Sequence, residues 1–215
     1  MVKYYPVFIN LEKIKCLVIG GGKVAERKIK TLLTHGAEIK VISPCVTEAI
    51  EKIAKQNKVK LAKRAYRKSD IKSVQLVIIA TEDASLNSKI ADEARKANIL
   101  VNTVSSVNSN FIMPAIVSKG ALKIAVSTSG ASPALVKKIK NKLKKEFSKD
   151  YIDYINFLGK IRQKILKEIN NKNERNFLMN KIASNEIIKL VENNNSLLWK
   201  EKIRNVLQEK GLKIT

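Results

Sequence analysis

Three features of the sequence predict an α/β fold. Residues 16–19 form a short, uninterrupted apolar run, three glycines follow, and residues 24–33 then carry apolar side chains at helical spacing. Apolar runs and helical stretches go on alternating, with short connections, as far as residue 104. Past Asn110 the pattern changes to two short strands around Lys119-Gly120 and then to helix after helix. Together they describe a Rossmann-like parallel sheet, a small α+β segment and an all-helical C-terminal region.

In chain order, residues 4–9 (Y-Y-P-V-F-I) read as a short strand, and Pro6 favours an edge position because it lacks an N–H. Residues 11–14 turn the chain into the first core strand, residues 16–19, which lacks polar alternation as a strand covered on both faces must. The first helix, residues 24–33, ends with His35 in its last turn and Gly36 as a left-handed cap. His35 is the only histidine, and a capping role suits it better than catalysis. A second strand spans residues 38–42 and stops at Ser43-Pro44. Helix 46–56 and strand 59–65 follow, then strand 75–80, helix 87–96 and strand 98–104. Such alternation gives parallel strands joined by right-handed crossovers. Residues 111–117 and 122–128 read as a hairpin. Ser132 is a good N-cap and Pro133 a good first residue for a helix over 133–147. Helices over 151–170, 174–183, 185–193 and 197–210 complete the chain, separated by asparagine-rich breaks.

The glycine stretch carries the clearest chemistry. G-x-G-x-x-A at Gly20, Gly22 and Ala25, between a strand and a helix, is the pattern of a dinucleotide site. Gly20 permits the tight turn, Gly22 lets the backbone approach a pyrophosphate, and Ala25 lets the helix pack close to the strand. The free N–H groups of the helix start, with Lys23 and Val24, then face the phosphates. Many such folds place an acidic residue after the second strand to bind ribose hydroxyls; here the position holds Ser43. No arginine sits there to favour a 2′-phosphate, so the expected cofactor is NAD. Thr81, after the 75–80 strand, falls at the sheet edge where ligands bind and is expected to line the cofactor site.

The formal net charge of +23 predicts attraction to anions. Lysine dominates and is spread along the chain, without an aromatic-and-arginine platform, a zinc-finger spacing or a recognition helix, so nucleic acid is not an expected partner. No apolar run is long enough to span a membrane, and the N-terminus lacks a signal-peptide pattern. Cys16 and Cys45 make no metal-ligand spacing, and a reducing, cytoplasmic setting is expected. No metal site is predicted.

Several stretches resemble one family. Y-Y-P-V-F-I-N-L at Tyr4 to Leu11 and C-L-V-I-G-G-G-K-V-A-E-R-K at Cys16 to Lys28 look like the opening of the precorrin-2 dehydrogenases, the siroheme synthase N-terminal family. A-T-E-D-A-S-L-N at Ala80 to Asn87, V-N-T-V at Val101 to Val104 and N-F-I-M-P-A at Asn110 to Ala115 match its later motifs. S-T-S-G-A-S-P-A-L at Ser127 to Leu135 matches its central signature. The resemblance covers about residues 1–145, whereas the helical tail matches only in length and character.

The resemblance implies oxidation of precorrin-2 to sirohydrochlorin with NAD+ as hydride acceptor. It also implies a homodimer built on the hairpin and following helix. The expected domains are thus an NAD-binding domain over 1–110, a dimerisation and substrate-binding segment over 111–148, and a helical domain over 149–215. The substrate carries eight carboxylates, which a basic cleft would attract. Asn102, Ser127, Thr128, Ser129 and Ser132 are the expected substrate-binding residues, with Lys137 and Lys138 adding charge. Many family members carry an aspartate after the fifth strand as proton acceptor and as part of a chelatase site. Here Ser105 or Ser106 holds that place, and a serine without a histidine is a poor base. The dehydrogenase is therefore the main expectation. The alternatives are a bifunctional enzyme that also inserts Fe2+, and a non-catalytic protein that binds NAD and a tetrapyrrole.

Overall fold

The computed structural model describes residues 3–104 and 108–212, and the chain divides into two compact units, Met1–Met113 and Pro114–Thr215. The first unit holds a five-stranded sheet: β1 (Lys15–Ile19), β2 (Glu38–Ile42), β3 (Lys60–Ala62), β4 (Leu76–Ile79) and β5 (Leu100–Thr103). All pairings are parallel and the order is β3-β2-β1-β4-β5. β1 is central, with Val18 opposite Val41 on one side and Ile78 on the other. The order reverses beside β1, which opens a crevice at the C-terminal ends of β1 and β4, the place where such sheets bind ligands.

The apolar run of β1 has a direct structural cause. Cys16 and Val18 face one side and pack with Ala25, Ile29 and Leu32 of helix α1 (Lys23–Leu33). Leu17 and Ile19 face the other side and pack with Ile90, Ala91 and Ala94 of helix α3 (Ala84–Lys96). A strand covered on both faces has no position for a polar side chain. Each such aliphatic side chain contributes roughly 1.5–3 kcal/mol by leaving water. Helix α2 (Glu48–Lys55) joins β2 to β3 and is capped by the Thr47 hydroxyl. The α1 end matches the sequence: Gly36 has φ +78°, and His35 Nδ1 lies 2.7 Å from the Thr31 carbonyl oxygen.

Four stretches differ by three residues or more from the sequence reading, and one is the third strand, which ends at Ala62 rather than 65. Residues 4–9 form no strand; Tyr5, Val7 and Phe8 are 86%, 60% and 74% exposed. An extended segment becomes a strand only where a neighbour takes its N–H and C=O groups, and this one pairs with no strand of the sheet. Helix α3 begins at Ala84 rather than 87, because the Asp83 carboxylate accepts the Leu86 N–H at 3.0 Å and so caps it. Residues 111–114 precede the strand instead of belonging to it: Phe111 and Met113 pack on the first unit's core, and Pro114 has no N–H to donate.

In the second unit β6 (Ala115–Lys119) and β7 (Leu122–Val126) form an antiparallel hairpin that turns at Gly120, φ +54°. Helix α4 (Pro133–Glu146) follows, then α5 (Lys149–Glu168), α6 (Lys172–Ile182), α7 (Asn185–Glu192) and α8 (Ser196–Gln208). The last four helices enclose their own core around Trp199, Ile161, Ile165, Leu178, Ile182 and Ile203. Tyr154 and Phe157 meet Trp199 edge to face, with ring centroids 5.5 and 5.6 Å away. The Tyr154 hydroxyl donates to the Ile182 carbonyl at 2.8 Å, tying α5 to the end of α6.

Candidate functional site

A cavity of about 620 Å³ lies over the crevice in the first unit. Its floor is the end of β1 and the Gly20–Gly22 loop, and its walls are residues 43–47 after β2, residues 64–66 after β3, and residues 80–83 after β4.

The three glycines have different physical reasons. Gly20 adopts φ +109°, and a Cβ there would stand 2.2 Å from the Ala80 carbonyl oxygen. Its N–H donates to the Ile42 carbonyl at 3.0 Å, which ties the loop to the end of β2. Gly21 abuts the opposite wall, where a Cβ would stand 2.1 Å from the Cys45 carbonyl oxygen. The Thr47 N–H in turn donates to the Gly21 carbonyl at 2.9 Å. Gly22 is unlike both. A Cβ there would meet nothing within 4 Å, and its φ of −79° suits any residue. Nothing in the protein itself requires glycine at position 22, so the open space beside its Cα is room for a ligand. Gly22 is also the N-cap of α1 and makes no side-chain cap, so the helix start offers unsatisfied N–H groups. An anionic pyrophosphate fits this cradle.

The other sequence-predicted cofactor residues divide into wall and support. Ser43 and Thr81 both line the cavity. The Ser43 side chain turns inward and donates to the Cys45 carbonyl at 2.6 Å. The Thr81 hydroxyl donates to Asn87 Oδ1 at 2.5 Å, and Asn87 Nδ2 returns a bond to the Thr81 carbonyl at 2.9 Å. Both hydroxyls thus shape the rim rather than point a free donor at it. Ala25 is fully buried, Val24 is 37% exposed, and the Lys23 side chain is 88% exposed at the first helical position. Glu26, one turn in, is held below the ordinary carboxylate range by Lys30 and by the Thr47 hydroxyl, at 2.6 and 2.8 Å.

The expected substrate residues fall in both units. Asn102 is buried on β5, outside the lining of the cavity; its Oδ1 accepts from Lys28 Nζ, and its Nδ2 donates to the Phe111 carbonyl at 3.1 Å. Burial pushes the Lys28 ammonium below its usual range. Ser127, Thr128, Ser129 and Ser132 share one loop of the second unit. Ser127 Oγ accepts the Ser129 N–H, Thr128 Oγ1 accepts the Ser132 N–H, and Ser132 Oγ accepts the Leu135 N–H, at 3.0, 3.0 and 3.2 Å. Ser129 and Gly130 have φ of +50° and +91°, so the loop is tightly wound before the α4 start. The serines accept, and their own hydroxyl protons stay available to an acceptor. Ser105 and Ser106 lie outside the described residues.

Sequence reasoning missed the contribution of β3. Arg64, Ala65 and Tyr66 form one wall, and Arg64 is the only cationic side chain among the described lining residues. Its guanidinium grips buried Asp70 with two bonds, Nη1 to Oδ2 at 2.8 Å and Nη2 to Oδ1 at 2.7 Å. Lys40 Nζ adds a third at 2.9 Å and the Arg67 N–H a fourth at 2.9 Å. These hold the Asp70 carboxyl far below its ordinary range, the Arg64 bond most of all. Tyr66 donates to Glu93 at 2.8 Å, and desolvation with that carboxylate pushes the phenol up. Arg64 and Asp70 stand six residues apart in R-A-Y-R-K-S-D, a stretch with no helical or strand period to mark the pair. Among the described residues, no three His, Cys, Asp or Glu side chains are grouped so as to hold a metal ion, and no helix is long and apolar enough to cross a membrane.

Comparison with known proteins agrees with this geometry. A family described as "Putative NAD(P)-binding" matches residues 7–115, and one described as "Sirohaem biosynthesis protein central" matches residues 119–146. The chain is 38% identical over 160 residues to the precorrin-2 dehydrogenase of Bacillus subtilis, covering 74% of this chain and 98% of that one. It is 32% identical over 197 residues to the siroheme synthase of Pseudoalteromonas atlantica, covering 91% of this chain and 43% of the relative. The chain thus spans about two fifths of the siroheme synthases it matches. Among solved structures it is similar to "SirC, precorrin-2 dehydrogenase", with TM-score 0.78, 29% identity, and coverage of 95% of this chain and 100% of that one.

Proposed function

The chain belongs to the precorrin-2 dehydrogenase and siroheme synthase family, and on that premise we propose that it oxidises precorrin-2 to sirohydrochlorin with NAD+ as the acceptor. The observation that carries this reading is the cradle at Gly22, whose open Cα side and uncapped helix start suit a dinucleotide pyrophosphate. Bound NAD+ supplies the hydride acceptor. The reaction takes a hydride and a proton from the macrocycle.

The residues of this chain bind and orient. Gly20 and Gly21 fix the loop, the α1 start holds the phosphates, and residues 43–47 and 64–66 wall the adenosine end. The many carboxylates of the substrate suit a lysine-rich protein, and Ser127, Thr128, Ser129 and Ser132 with the α4 start offer hydroxyl and backbone donors for them. Asn102 supports the site from β5 through its bonds to Lys28 and Phe111. Ser105 and Ser106 stand at the family's aspartate position. Serine is no base at neutral pH, so the proton leaves to water or to a carboxylate of the substrate.

The assembly is a homodimer formed through the hairpin and α4. No residue of α4 is buried in the single chain, although Leu135 (48% exposed), Ile139 and Leu143 give the helix an apolar side that a second copy would cover. Light scattering on the eluting protein should return twice the chain mass; the mass of one chain would refute the dimer. The setting is the cytoplasm, in keeping with unpaired Cys16 and Cys45.

The deciding experiment is an anaerobic incubation with precorrin-2, with and without NAD+, following NADH and sirohydrochlorin absorbance together. Formation of both only with NAD+ establishes the dehydrogenase. Binding of both ligands with no NADH would instead assign a non-catalytic carrier. Adding Fe2+ to the same cuvette reads any chelatase activity as a spectral change above the spontaneous rate.

A further inference from the structure

We propose that Arg64 is a specificity residue of the dinucleotide site and that it admits a 2′-phosphate, so that the protein binds NADP+ as well as NAD+. The proposal rests on the dinucleotide reading above and adds to it a second ligand and the residue that recognises it.

The position follows from backbone connectivity. In this fold the adenosine ribose lies at the end of the second strand, where an acidic side chain selects NAD by accepting from the 2′-hydroxyl and repelling a phosphate. Here the residue at that place is Ser43, and its hydroxyl is turned away to the Cys45 carbonyl. The Ser43 N–H donates to the Ala62 carbonyl at 3.2 Å, and the same oxygen accepts the Arg64 N–H at 3.0 Å. Arg64 thus follows the strand that adjoins Ser43, and it is one of the residues that line the same cavity.

The charge of this corner is positive. Arg64 and Lys40 share the single carboxylate of Asp70, so the cluster retains one unit of positive charge. Lys63 beside it is paired with Glu51 at 2.5 Å. The carboxylates that line the cavity, Glu82 and Asp83, come from the β4 side, and Asp83 is spent on capping α3. The Arg64 guanidinium uses three of its five N–H donors, two on Asp70 and one on the Ala65 carbonyl at 2.9 Å. Nε–H and one Nη2–H are left over, the number needed for a bidentate grip on a phosphate. Asp70, 6% exposed and itself held by Lys40 and the Arg67 N–H, fixes the guanidinium and removes most of the entropy cost of ordering it. Asp70 is therefore a positioning residue.

The test is calorimetric titration of the full chain with NAD+, NADP+ and the probe 2′-phospho-ADP-ribose, without tetrapyrrole. The unmodified protein should bind NADP+ with a Kd within about tenfold of that for NAD+. Arg64→Ala should weaken NADP+ and the probe about tenfold more than NAD+, the loss of a charged hydrogen-bond pair. Arg64→Lys should restore part of that difference. If Arg64→Ala does not fold, Arg64→Gln, which keeps the stem and two donors, should show the same selective loss. An equal loss of both dinucleotides would overturn the proposal and make Arg64 a purely structural partner of Asp70. So would an unmodified protein that binds NAD+ and rejects NADP+. Failure to bind either dinucleotide would refute the dinucleotide reading itself.

Discussion

A Cβ on Gly20 would stand 2.2 Å from the carbonyl oxygen of Ala80, inside the distance at which two such atoms can coexist. The contact joins the glycine loop to the end of β4, and the φ of +109° adds strain for any other residue. Gly20→Ala should therefore destabilise the first unit by roughly 3 kcal/mol or more, read as a lowered melting temperature.

Gly22 separates binding from folding. Gly22→Ala should leave the melting temperature within about 2 °C and still weaken NAD+ measurably, since the added methyl occupies open space on the ligand side. Gly22→Asp should abolish NAD+ binding while the protein stays folded, because a carboxylate would meet the pyrophosphate. Unchanged affinity in Gly22→Asp would refute the phosphate-loop assignment.

Asp70 makes the first unit acid-sensitive. Its folded carboxyl lies far below the ordinary range of about 4, held first by Arg64. A depressed folded value stabilises the protein above the unfolded value and is lost as pH falls below it. Stability should drop from about pH 4 downward. Asp70→Asn should cost roughly 3 kcal/mol at pH 7 by leaving Arg64 and Lys40 without their anion, and should flatten the acid slope. Denaturant melts at pH 7, 4 and 3 measure both effects.

The two cysteines should report the site. Burial pushes the Cys16 thiol up to about 11, and its side chain lies inside the β1 core. Cys45 is exposed and lines the cavity. One thiol per chain should react with a disulfide reagent in the native protein, rising to two in denaturant. Saturating NAD+ should slow the first reaction severalfold; no protection would place the cofactor away from residues 43–47.

In the second unit, Tyr154→Phe should cost about 1–2 kcal/mol, because the Ile182 carbonyl loses its donor in a buried setting. Trp199→Ala should cost roughly 3–5 kcal/mol through the cavity left among the rings of Tyr154 and Phe157. A far-ultraviolet thermal melt checks each.

The order of elements and the glycine turn between β1 and α1 were legible in the sequence, because both are local. The period of apolar residues reports which faces a helix or strand buries, and a helix cap needs only its neighbours, as Ser132-Pro133 and Gly36 illustrate. What lay beyond it depended on residues distant in the chain. Residues 4–9 have a strand's composition, but no strand of the sheet pairs with them, and pairing is a tertiary event. Gly21 is required because the loop after β2 crosses it, and that crossing is invisible to a motif that allows any residue there. Arg64 was out of sight for the same reason. It follows Ser43 by a helix and a strand, and only the parallel pairing of β2 with β3 brings the two to one wall. Spacing along the chain fixes what a residue does within its own element; which residues face one ligand is decided by how the strands are laid side by side.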